Sequence, residues 1–116
     1  MLRRMKTYAG GQGYVYQYYF VGKRPAPTDP SATEYIFDVT SDRKTTFAVT
    51  VTLPASIVAQ WSTHHGRALT DAEQYAAVKM RLLQAFDEVE NMLSEGRLLT
   101  VNAAALEQLL ATLGVD

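Results

Sequence analysis

The chain has 116 residues, 47% of them hydrophobic and 20% charged, with a formal net charge of −1 and no cysteine. That length and composition suit one packed domain and argue against disorder; the missing thiols exclude disulfides, thiolate metal sites and cysteine nucleophiles. No apolar run approaches the ~18 residues of a membrane-spanning helix, and no signal-peptide apolar core follows Met1 to Lys6, so a cytoplasmic location with no membrane contact is expected.

Charge is unevenly spread. Residues 1–24 hold Arg3, Arg4, Lys6, Lys23 and Arg24 and no acid, whereas every acidic residue lies beyond them. Residues 1–13 read as a flexible basic, glycine-rich arm ahead of a single α+β domain over 14–116. Gly10-Gly11-Gln12-Gly13 precedes a strand rather than opening a helix, and no Gly-Lys-Ser/Thr follows, which disfavours a phosphate loop.

Tyr14 to Val21 is the clearest strand, rich in aromatic and β-branched residues. Its alternation sets Tyr14, Tyr16, Tyr18 and Phe20 against Val15, Gln17, Tyr19 and Val21, and neither set is properly polar, so cover on both faces is expected. Residues 22–33 hold three of the four prolines and read as a stiff connector between strands that are not tight hairpin partners. A hairpin follows. Matching its apolar faces pairs Val39 with Phe47, Phe37 with Val49 and Tyr35 with Val51, which requires an odd loop at Asp42-Arg43-Lys44. The opposite face, with Glu34, Asp38, Thr40, Thr46, Thr50 and Thr52, reads as solvated apart from Ile36 and Ala48.

Pro54 suits the first turn of a helix over Ala55 to about His64, with Gly66 as its stop. Thr70-Asp71-Ala72-Glu73 is a capping box, and the helix it opens is expected to run to about Ser94, burying Tyr75, Val78, Leu82, Phe86, Val89 and Leu93. Leu98 to Val101 fits a short edge strand or an extended link. Asn102 caps a last helix, about Ala103 to Leu113, with Leu106, Leu109, Leu110 and Leu113 inward. The expected fold is therefore α+β: an antiparallel sheet of three or four strands, packed on one face by two or three C-terminal helices. Trp61, Tyr75, Leu82, Phe86, Phe37, Val49 and Val51 should form its core.

The residues of possible chemistry are few. His64 and His65 are adjacent, so their side chains leave the helix about 100° apart and lack the i,i+4 spacing of a chelating pair. Asp87, Glu88, Glu90 and Glu95 crowd a helix C-terminus, where the dipole disfavours acids; Arg97 or the basic arm would compensate them. Asp87 and Glu90 alone make a poor cation site. Ser56, Ser62 and Ser94 sit in no Gly-x-Ser-x-Gly elbow. No catalytic residue, cofactor or metal ligand is assigned.

What remains is a candidate interaction surface: Tyr14, Tyr16, Tyr18 and Tyr19 with Arg3, Arg4, Lys6, Lys23 and Arg24. The first expectation is a non-catalytic protein–protein interaction module, a homodimer or a subunit of a small complex, whose partner covers the second face of the aromatic strand. The alternatives are a nucleic-acid binder that uses the basic N-terminal arm and stacks bases on those tyrosines, and a small-ligand domain or enzyme with a pocket between sheet and helices, lined by Tyr16, Tyr18 and Trp61 and lidded by the Pro-rich loop over 22–33.

Overall fold

In the computed structural model, which describes residues 5–116, the alternating segments assemble into one sheet. Its strands are β1 (Lys6–Ala9), β2 (Val15–Pro25), β3 (Ala32–Thr40), β4 (Phe47–Pro54) and β5 (Leu98–Thr100), in that spatial order. The first four form an antiparallel meander, and β5 runs parallel to β4. Four helices follow the meander: α1 (Ala55–His65), α2 (Asp71–Glu88), the single turn α3 (Met92–Glu95) and α4 (Ala103–Thr112). The α+β class and the one-sided packing of the helices are as expected. The sheet is larger than expected, with five strands.

The register of the β3–β4 hairpin is the one that alternation dictates: Val39 opposite Phe47, Phe37 opposite Val49, Tyr35 opposite Val51. Its turn is held by the Asp42 carboxylate, which accepts the backbone N–H groups of Lys44 and Thr45 at 2.8 Å each. Phe37, Val39, Val49 and Val51 are fully buried on the inner face.

Three elements depart from the sequence reading. Residues 6–9 are not a loose lead-in but an edge strand on β2, with Lys6 opposite Tyr18 and Ala9 opposite Val15. The presumed connector is mostly strand: β2 continues through Gly22, Lys23 and Arg24 to Pro25, after a bulge between Phe20 and Gly22. Only residues 26–31 turn, so β2 and β3 are direct hairpin neighbours. Pro25 is tolerated because the described pairing of β1 stops at Tyr18, and a proline can end a strand whose other edge is open. Helix α2 ends at Glu88, and Asn91 caps the separate turn α3 by accepting the Ser94 N–H. The break rotates the pattern, so Met92 is buried and Leu93 is exposed.

The remaining helix signals stand. The Thr70–Glu73 capping box is reciprocal, Asn102 accepts the Ala105 N–H, and Gly66 ends α1 with φ of 72°. Helix α2 lies across β1 to β4. Phe86 meets Tyr8, Tyr16 and Tyr18, and Tyr75 meets Phe20 and Phe37. Of the expected core, Tyr75 is only partly buried and the other six are buried. Leu113, expected inward, is 39% exposed beyond the end of α4.

Candidate functional site

The structure divides the candidate surface. Tyr16 and Tyr18 are 2% and 4% exposed beneath α2, where burial pushes both phenols above their ordinary range, and no base could stack on them. Tyr14 lies at the start of the strand, half-exposed and edge-on to Tyr16. Tyr19 points to the outer face, and its hydroxyl donates to Asp38 at 2.6 Å. Arg24 pairs with Glu34 at 2.9 Å, and the Lys23 ammonium sits 5.8 Å from the centre of the Tyr35 ring. Lys6 shares the helix-covered side with Lys79 of α2, whose pKa is lowered by burial first and by Lys6 second. Arg3 and Arg4 lie outside the described residues.

The crowded acids are compensated by neither Arg97 nor a described basic residue of the arm. Asp87 accepts the Tyr8 hydroxyl at 2.9 Å and the Gly11 N–H at 2.8 Å, and the Gln12 side chain donates to the Glu88 carbonyl at 3.1 Å. The glycine turn thus closes over the C-terminus of α2. Gly10 is required there, since a Cβ would come within 2.7 Å of the Phe86 carbonyl oxygen. Arg97 donates instead to the Ala48 carbonyl.

The expected pocket of Tyr16, Tyr18 and Trp61 does not form, because α2 fills the space over the tyrosines while Trp61 belongs to α1. A groove of about 770 Å³ does run between α1 and α4, with Ile57, Trp61, His64, Ala103, Ala104 and Glu107 among its walls. At its rim the two histidines meet. His64 Nδ1 lies 3.3 Å from Glu107 Oε1, and His65 Nε2 lies 3.0 and 2.8 Å from the two Glu107 oxygens. The 100° offset between neighbours does not keep the rings apart, because His64 presents its near nitrogen and His65 its far one. The His65 ring is fixed by stacking on Trp61, with centroids 4.1 Å apart and planes 14° from parallel. Hydrogen bonding from His65, then from His64, holds the Glu107 carboxyl below its ordinary range. Glu107 is the residue that sequence reasoning missed: it is a polar position on α4, and only the packing of α1 on α4 brings it to the histidines.

No family model, curated protein or solved structure gives a significant match to this chain.

One exposed surface is the outer face of the sheet. Helices cover the other face, and no described element crosses this one. Val15 is 47% exposed, Val21 39% and Leu98 83%, with Tyr19, Ile36 and Ala48 half-buried between them. Gln17, Asp38, Thr50 and Thr52 and the Arg24–Glu34 pair share this face with them. Among the described residues, no helix is long and apolar enough to cross a membrane.

Proposed function

We propose that the chain is a non-catalytic interaction module that pairs with a second copy of itself through the outer face of its sheet. One observation carries this reading: beside the polar Gln17, Glu34, Asp38, Thr50 and Thr52, the outward positions on β2, β3, β4 and β5 bear Val15, Tyr19, Ile36, Ala48 and Leu98, of which Val15 and Leu98 are 47% and 83% exposed. The size of the face supports it. The strands are 4, 11, 9, 8 and 3 residues long, which at about 3.3 Å rise and 4.8 Å spacing present on the order of 550 Å², about two-thirds of the ~800 Å² per partner of a standard interface. A twofold axis through the face would set one sheet on the other about 10 Å apart, the ordinary aligned sheet packing. The Tyr19–Asp38 and Arg24–Glu34 pairs, with Thr50 and Thr52 of β4, supply polar contacts within the same face.

The test is the absolute mass of the chain by light scattering during size-exclusion chromatography, at low and high salt. The reading requires a dimer that persists at high salt, and monomers for Val15→Lys and Leu98→Lys with unchanged circular dichroism. A wild-type monomer at both salts, or a dimer that ignores both lysines, overturns it. In the first case, titration with single-stranded nucleic acid would decide whether the half-exposed Tyr14 and the basic residues serve a different partner.

A further inference from the structure

The geometry points to a divalent transition-metal site, best suited to zinc, formed by His64 Nδ1, His65 Nε2 and the Glu107 carboxylate where α1 meets α4. The three donors are the nitrogen and oxygen ligands that zinc prefers, and their atoms all lie within 4.8 Å of one another. Their spacing decides the case. A tetrahedral zinc with bonds near 2.05 Å separates its ligand atoms by about 3.3 Å. The two histidine nitrogens stand 3.3 and 3.0 Å from the same oxygen, Glu107 Oε1, and no two donors are more than 4.8 Å apart, so side-chain rotations that shift the donors by up to about 1.5 Å bring them round one metal.

The surroundings also fit. His65 is oriented by its stack on the buried Trp61, which sets one ligand in advance. His64, with 76% of its side chain exposed, gives a metal ion a direct path from solvent. Three protein ligands leave a fourth position for water or an exchangeable donor. Because His64 and Glu107 are themselves walls of the groove, that position borders apolar Ile57, Ala103 and Ala104. The site lies in the helical layer, on the side of the sheet away from the proposed dimer face, so either idea can fail without the other.

The chain is titrated without a polyhistidine tag. Trp61 is the only tryptophan, and it lies against one of the ligands. Nickel or cobalt bound at the site should therefore quench its fluorescence in a saturable 1:1 manner, zinc should reverse the quenching, and cobalt should show the visible bands of a four-coordinate ion. His64→Ala, which removes an exposed side chain, and Glu107→Gln, which keeps the shape of the side chain, should each weaken binding by more than about tenfold while the circular dichroism stays unchanged. Absence of saturable quenching overturns the proposal. So does binding that both variants leave intact, since the metal would then sit elsewhere on the surface.

Discussion

The ring of Tyr16 lies flat on that of Phe86, with centroids 4.2 Å apart and planes 8° from parallel. Tyr8 and Tyr18 flank the same phenylalanine, so one side chain of α2 joins β1 and β2 to the helical layer. Removing the ring in Phe86→Ala should cost about 3–5 kcal/mol, from lost transfer energy and the cavity left behind. Urea unfolding followed by Trp61 fluorescence would measure it. Because Trp61 reports from α1, a matching loss there would also show that the sheet and helices unfold together. A change below about 1 kcal/mol would mean that the aromatic cluster is not what holds α2 to the sheet.

The glycine turn offers a sharper contrast. A methyl on Gly10 collides with the Phe86 carbonyl at 2.7 Å, a backbone atom that cannot swing aside, whereas one on Gly11 meets Asp87 Oδ1 at an ordinary 3.6 Å. Gly10→Ala should destabilise by about 1–3 kcal/mol, as overpacking does, and Gly11→Ala should be nearly neutral. Thermal melts of the two variants beside wild type would settle it, and equal melting temperatures for the pair would contradict the docking of β1.

Acid should weaken the start of α2 in a defined window. The Arg67 guanidinium, first, and the Thr70 N–H, second, hold Glu73 at a pKa of about 2, below its ordinary value of 4.5. A carboxyl depressed by folding stabilises the native state above its unfolded pKa, and that contribution fades as pH falls through the folded value. Melting temperature should therefore drop between about pH 4.5 and about pH 2, and Glu73→Gln should start lower at neutral pH and fall less steeply across that range. Identical acid limbs for the two proteins would show that the pair with Arg67 contributes nothing to folding.

Much of this fold was legible because alternation and capping are local. The register of β3 on β4 follows from setting Tyr35, Phe37 and Val39 against Val51, Val49 and Phe47, since any slip by one residue exposes the set. The features that escaped are held by distant partners. Lys6-Thr7-Tyr8-Ala9 has no strand pattern worth the name, and it pairs with β2 because Tyr8 reaches Phe86 and Asp87. Pro25, Pro27 and Pro30 suggested a long connector, yet only the last two lie in the turn. The apolar stripe of α2 seemed to run through Val89 to Leu93, when Asn91 was already the cap of a new turn. Glu107 could not be tied to His64 and His65 from the sequence, because nothing near it marks which helix α4 will meet.

The place of β5 has a consequence for the order in which the molecule folds. Each strand of the meander meets its neighbour through a turn of a few residues, so β1 to β4 can form pair by pair from local encounters. The fifth strand is different: Thr50 pairs with Leu98, across a closure about six times longer than the one between Val39 and Phe47. Closing that longer loop costs about 1.5 kcal/mol more in chain entropy. The bonds gained directly, such as Thr50 N–H to the Arg97 carbonyl and Val101 N–H to the Thr52 carbonyl, are few. A strand of three residues has few bonds to set against that cost, and its place beside β4 rests also on the buried Leu99 and on α1 and α2, which carry the chain back across the sheet. The far edge of the sheet thus depends on the helical layer in a way that the meander does not.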